Sequence, residues 1–408
     1  MTQDTALEIL KTGANVFLTG EPGAGKTHTI GKFVEWLDTQ NKEYAITAST
    51  GIAASHLDGS TIHSWSGLGI RKNLMKQQLD AMKGNTWLIE KIKPVDVLII
   101  DEISMLDAIA INDISNILKA IHKNEKPFGG IQVVLVGDFF QLPPVNKFGE
   151  EKLFAFESEA WNEAKFEYCY LSEQHRQSDP LFLEILTAMR TGKVTDTHKK
   201  ILLSCKLDTK PDTQLFTHNA DVDTLNNAEL AKLPGKQMTY IMEEGGIPTM
   251  VEALKRGCLS PEVLNLKVGA VVMFTRNNFN AGYVNGSIGK VIRFTGNGEP
   301  VVKLLNGETI TPSQAKWSMK KWKGEDKAYI KQLPLRLAWA ITVHKSQGMS
   351  LDSAKIDLQS CFEFGQGYVA ISRVRTLKGL HLVGINNQTF NMHPKVVDQD
   401  IVFRRLGM

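Results

Sequence analysis

One glycine-rich run near the amino terminus carries the clearest chemistry. Gly20-Glu21-Pro22-Gly23-Ala24-Gly25-Lys26-Thr27 sets a glycine, four residues and then Gly-Lys-Thr, the spacing of a phosphate-cradling loop. Glycines let the backbone wrap a phosphate without side-chain collision, and loop N–H groups at a helix amino end supply partial positive charge. Lys26 can meet the β- and γ-phosphates as a point charge, and Thr27 can offer its hydroxyl to magnesium. This loop alone means nucleotide binding; kinase, GTPase, transporter and motor all remain open. Asp101 and Glu102 narrow the choice, because they end the apolar run Val97-Leu98-Ile99-Ile100. A carboxylate there can hold magnesium, and its neighbour can polarise a water, which favours hydrolysis over transfer to a second substrate. Gln141, in Gly137-Asp138-Phe139-Phe140-Gln141-Leu142-Pro143-Pro144-Val145, is suited to sensing a γ-phosphate, although a strand ending in Pro-Pro is often only a turn.

Such residues need a sheet to hold them in register. Short apolar runs at Asn15–Thr19, Tyr44–Ala48, Val97–Ile100, Gln132–Val136 and Tyr168–Leu171 alternate with helix-like stretches such as Thr27–Leu37 and Ala108–His122. Continuous apolar runs of that length predict a buried parallel sheet. A second region begins at Gln214–Thr217 and resumes at Leu337–Val343, Lys355–Leu358 and Leu380–Gly384, so two α/β domains are expected to face each other. Between them, from about Leu266 to Lys323, Asn285-Gly286 and Asn306-Gly307 separate β-rich stretches, the hairpin signal of an inserted β-rich element.

The 408 residues suggest two or three domains, at about 150 residues each. With 42 % hydrophobic and 22 % charged residues the composition is globular. Four scattered cysteines without a Cys-x-x-Cys pair argue against structural zinc and a disulfide framework, and fit a reducing compartment. Neither a secretory signal nor a membrane-crossing apolar run is found, so a cytoplasmic protein is expected. A net charge of +3 neither announces nor excludes nucleic acid.

Taken together, Asp101-Glu102-Ile103-Ser104-Met105, Phe128-Gly129-Gly130-Ile131-Gln132 and the Gly137–Val145 run resemble the Pif family of superfamily-1B DNA helicases. Supporting stretches are Ser49–Ala54, Thr61–Gly67, Glu173-Gln174-His175-Arg176-Gln177, Thr342–Gly348 and Tyr368–Arg373. The match in order and spacing runs from about Gln3 to Arg375. The resemblance implies an α/β fold class: two RecA-like P-loop domains with a small inserted wedge element and an SH3-like β-barrel insert. Residues 1–58 and 87–171 would form the first RecA-like domain, 59–86 the wedge, 172–277 and 334–408 the second domain, and 278–333 the barrel.

The same resemblance assigns roles by position. Gln3 would read adenine, and Gly20, Gly23, Ala24, Gly25, Lys26, Thr27, His28 and Gly348 would contact the nucleotide. Thr27 and Asp101 would hold magnesium. Lys26, Glu102, Gln141, Arg176 and Arg373 would be catalytic, the two arginines acting as fingers because a planar, permanently charged fork stabilises spread transition-state charge. Thr50, Gly51, His63, Asn219, Thr342, His344 and Lys345 would line the single-strand groove, where hydroxyls, backbone N–H groups and a lysine grip phosphate without reading bases, and Phe139 would either stack a base there or pack in the core. The cation–aromatic run Lys316 to Lys323 is a further groove candidate, or equally a solvated face.

The implied activity is an ATP- and magnesium-dependent helicase moving 5′ to 3′ on single-stranded DNA and unwinding tailed or forked duplexes, as a monomer and away from membranes. An RNA helicase and a nucleotide-gated DNA-binding switch are the alternatives. Absence of an amino-terminal extension and a stop soon after the last motif lead to the expectation of a bacterial or viral type, with an accessory carboxy-terminal domain missing.

Overall fold

The computed structural model describes residues 1–56, 59–145, 151–174, 177, 179–205, 213–217, 222–304, 306–320 and 326–407. Two compact units divide the chain, residues 1–178 with 392–408 and residues 179–391.

In the first unit six strands, β1 (Val16–Gly20), β2 (Tyr44–Ala48), β3 (Ser60–Thr61), β4 (Val97–Asp101), β5 (Gln132–Val136) and β6 (Glu167–Leu171), form one sheet. Its order is β3-β2-β4-β5-β1-β6, and every pairing is parallel. The five apolar runs read from sequence are β1, β2, β4, β5 and β6, each within one residue at either end, and the two-residue β3 was not read. Both faces are covered, as a parallel sheet requires. On one side α1 (Gln3–Lys11) and α2 (Lys26–Thr39) bury Ala6, Leu10, Ile30, Phe33 and Leu37 against Val16, Leu18, Ile99 and Val134. On the other side an aromatic cluster joins Phe17, Phe139, Phe156, Trp161, Tyr168 and Phe403. Phe403 belongs to the closing helix Pro394–Leu406. Thus residues 392–408 complete the first unit, whereas the sequence reading grouped 334–408 with the second domain. The reason is apolar: Phe403 lies 5.0 Å from Phe17, ring centre to ring centre, and such burial overrides chain order.

In the second unit a four-stranded parallel sheet runs Ala340–Thr342, Gln214–Phe216, Ala354–Leu358, Leu380–Ile385 in spatial order. The long run Leu337–Val343 divides: Leu335–Leu337 joins an antiparallel sheet and Ala340–Thr342 the parallel one. That antiparallel sheet orders Thr309–Ile310, Pro300–Leu304, Ile288–Phe294, Val271–Phe274 and Leu335–Leu337 around a core of Val272, Phe274, Val291, Val302 and Leu335. A three-stranded sheet of Ala315–Lys320, Asp326–Gln332 and Glu243–Gly246 accompanies it, as does the pair Met238–Ile241 with Val263–Leu266. Antiparallel structure therefore starts near Met238, upstream of the expected 278–333. Cross-strand partners so distant in sequence cannot be read from local periodicity.

Candidate nucleotide site and nucleic-acid residues

Parallel alignment brings the carboxyl ends of β1, β5 and β4 to one edge as neighbours, where open α/β sheets bind ligands. From β1 the chain enters the glycine-rich loop. Gly25 is the N-cap of α2 at φ +88, and a Cβ there would come within 2.1 Å of Gln3 Nε2, so only glycine fits both backbone and neighbour. The Gln3 amide in turn donates to Ala24 O at 3.4 Å, which puts the expected adenine reader against the loop. Lys26 Nζ donates to Gly20 O at 2.8 Å and Glu21 O at 3.2 Å, its ammonium folded over the loop. Thr27 and His28 are exposed on the first turn of α2. Gln174, not selected from sequence, donates to Glu21 Oε2 at 3.1 Å; it lies inside the Glu173–Gln177 motif, so the signal was present.

At the end of β4 the Asp101 Oδ1 accepts the Glu102 N–H at 2.8 Å. Surrounding protein raises the Asp101 carboxyl pKa, with that hydrogen bond and the Lys26 charge pulling the other way. A carboxylate pressed toward its neutral form is one that a cation would stabilise. Glu102 sits in the left-handed region at φ 52, ψ 47, a conformation that costs a non-glycine residue of order 1 kcal/mol and recurs at functional sites. It turns the chain from the end of β4 into the 3₁₀ turn Ile103–Met105. Beyond β5, Gly137 allows close approach, since a Cβ would stand 3.0 Å from Ile103 N. Gln141 is 6 % exposed and its Oε1 has no hydrogen-bond partner in the protein, an acceptor left over at the ligand edge. Among the described residues no group of three or more His, Cys, Asp or Glu could hold a metal unaided.

The expected groove residues divide. Thr50 Oγ1 accepts Ala53 N–H at 3.2 Å, capping the short helix that Gly51 begins. His63 is half-buried in the helix Ile62–Trp65. Burial lowers its pKa, which favours the neutral ring; Asp107 opposes and Lys72 adds to the shift. Phe139 is corrected: at 5 % exposure its ring packs on Phe17, Phe156 and Phe403 and leaves no face for a base. Thr342 is also corrected. It is fully buried, and its hydroxyl accepts the Lys345 N–H at 3.3 Å, so it positions Lys345 instead of touching DNA. His344 and Lys345 are half-buried, and Gly348 is exposed at φ +78. Lys316 pairs with Asp326 and lies over the Tyr329 ring.

Arg373, at 1 % exposure, donates through Nε to Val369 O at 2.9 Å and through Nη2 to Ser372 Oγ at 3.0 Å. A guanidinium so engaged must exchange some of these bonds to meet a phosphate. Arg176 and Asn219 lie outside the described residues.

A phosphate loop, a strand-end acid and two parallel α/β sheets define a P-loop nucleoside-triphosphatase fold of the tandem RecA-like class. Comparison with known families narrows this to one. The PIF1-like helicase model matches residues 3–200, and that for the 2B domain of DNA helicase Pif1 matches residues 250–294. An ATP-dependent DNA helicase Pif1 from Psychrobacter is 40 % identical across 100 % of this chain and 71 % of its own length. Bacteroides sp Pif1 in complex with ADP-AlF4 superposes at TM-score 0.86, 31 % identical, covering 99 % of this chain and 97 % of its own. Bacteroides Pif1 in complex with ADP-AlF3 and ssDNA superposes at TM-score 0.67, 29 % identical, covering 99 % and 96 %. The chain belongs to the Pif1-like helicase family.

Proposed function

We infer that this chain is an ATP-dependent DNA helicase, hydrolysing ATP to move on single-stranded DNA and unwind duplex. The observation that carries the reading is the shared sheet edge: Lys26, Asp101, Glu102 and Gln141 leave the ends of three adjacent parallel strands. Relatives named as ATP-dependent DNA helicases, and neighbours bound to ADP-AlF4 or to ssDNA, support it.

The residues fit a magnesium nucleotide. Positive-φ glycines leave room for phosphates, the Lys26 ammonium lies over the loop, and Gln141 Oε1 is a buried acceptor without a protein partner. Thr27 and Asp101 would hold magnesium, which when bound neutralises phosphate charge. Gln3 would contact the base, Gly20, Gly23, Ala24, Gly25 and His28 would border the nucleotide, and Gly348 would give close backbone approach. Glu102 orients and polarises the attacking water, and Gln141 senses whether the γ-phosphate is present. Arg176 and Arg373 would stabilise transition-state charge. On DNA, Thr50, Gly51, His63, Asn219, His344 and Lys345 would hold the backbone. Loss of the γ-phosphate would release the contacts that hold the closed state and move the grips.

We extend the proposal to 5′-to-3′ polarity, to magnesium, to a cytoplasmic monomer, to an inserted wedge within 59–86, and to a barrel insert drawn from the antiparallel strands between Met238 and Leu337. Among the described residues no helix is long and apolar enough to cross a membrane. Polarity is tested with duplexes bearing a 5′ or a 3′ tail. Unwinding of the 5′-tailed substrate alone is expected, and Lys26→Ala should lose about 10²- to 10³-fold in ATPase rate, as for removal of one charge-stabilising group. Equal unwinding from a 3′ tail would overturn the polarity; an ATPase rate unchanged by single-stranded DNA would overturn translocation.

A further inference from the structure

Arg336 carries no motif signal, being a lone arginine between Leu335 and Leu337, yet its setting in the fold is unusual. It lies on the strand Leu335–Leu337, opposite Met273, with its side chain turned inward to 9 % exposure. Nη2 faces Asp223 Oδ1 at 3.5 Å, while the Asp223 side chain is itself 79 % exposed. Nε is buried without a hydrogen-bond partner. A second cation is close by. Lys345 has its backbone N–H fixed by the Thr342 hydroxyl at 3.3 Å, and its ammonium is destabilised first by burial and then by the Arg336 charge, with Asp223 opposing. Burial likewise lowers the Arg336 pKa against the pull of Asp223.

A buried guanidinium, with a half-buried ammonium acting on it and one solvent-washed carboxylate to serve it, is under-compensated, because buried charge is tolerated only when paired and hydrogen-bonded. An anion would restore the balance. The shape of the donors specifies which anion: a planar guanidinium fork with a spare N–H beside a compact ammonium matches a tetrahedral phosphate. Asp223, at the first turn of the helix Val222–Lys232, is free to swing outward because so little of it is buried.

We propose that Arg336 and Lys345 form a subsite for one backbone phosphate of single-stranded DNA, and that Asp223 is its place-holder, displaced when the strand binds. The subsite deepens the helicase reading and rests on it. Contact is to phosphate alone, so it is blind to sequence, as a translocating protein requires.

The test is equilibrium binding of the full chain to a fluorescein-labelled oligo-dT across a salt series. Each phosphate contact on a single strand contributes about 0.7 to the slope of log affinity against log salt. Arg336→Gln should flatten the slope by about that amount and weaken binding roughly tenfold at low salt, the scale of a charge-assisted hydrogen bond. Asp223→Asn should tighten binding about two- to fivefold, because the phosphate no longer competes with the exposed Asp223 carboxylate for Arg336. An unchanged slope in a folded Arg336→Gln variant overturns the proposal. Should that variant fail to fold, Asp223→Asn decides alone, and binding equal to or weaker than wild type overturns it. Wild-type protein that does not bind the oligonucleotide sinks the helicase reading as well, so the two failures are distinguishable.

Discussion

Single side chains decide what the catalytic edge and the groove can do. His63 is driven toward its neutral form chiefly by burial, and the sign of its linkage follows. Its folded pKa lies below the ordinary value of about 6.5, so the stability it contributes is complete above that pH and is lost as pH falls through 6.5 toward the folded value. Thermal unfolding followed downward from about pH 7.5 should therefore show a loss of stability that His63→Gln partly flattens. The flattening is partial because His122 shifts in the same direction, through burial and Lys93; an unaltered profile in the variant would refute the assignment. At this scale the sequence was legible wherever spacing encodes chemistry. Lys26, Asp101, Glu102 and Gln3 all fall at the phosphate-loop edge. Phe139 and Thr342 were misread because the motif that contains a residue does not say which way its side chain points.

Among the elements, the helix Ala108–His122 does the most to fix the region between the strands. Asp107 caps it, accepting Ala110 N–H at 2.8 Å, and pairs with Lys72 at 2.6 Å. One and a half turns further along, Asp113 Oδ1 accepts the Leu74 N–H at 2.9 Å. These carboxylates clamp residues 72–74 at the entrance to the helix Lys76–Lys83, next to Asn73 at φ 54. Replacing Asp113 by Ala should destabilise this region by about 1 kcal/mol, the scale of a partly buried hydrogen bond to a charged acceptor. Hydrogen exchange should then accelerate in residues 72–83 while β4 keeps its protection; uniform protection across both would contradict the clamp. The helix itself was legible, residue for residue, from apolar periodicity. Its grip on 72–74 was not, because a carboxylate on a helix says nothing of which distant N–H it meets.

For the molecule as a whole, two compact units stand where the chain has one continuous sequence. The first is closed by its last helix: Phe403 stacks on Tyr168 at 5.4 Å and lies 5.9 Å from Phe156. Phe403→Ala should destabilise the first unit by about 3–5 kcal/mol. Calorimetry would detect it as a shift in the melting of that unit, with the second unit, whose cores are built within residues 179–391, melting as before. A shift shared equally by both would show that the units unfold as one.

The nucleotide-binding edge and the family were determined by sequence alone, because phosphate binding needs a contiguous glycine-rich turn and buried parallel strands need contiguous apolar runs. Both are local properties of a chain. Which unit receives the closing helix, whether Phe139 is a base platform or a core ring, and which carboxylate and lysine sit beside Arg336 were decided only by tertiary structure. Burial and charge balance are set by neighbours brought together from far along the chain, and their energies exist only after the core has closed.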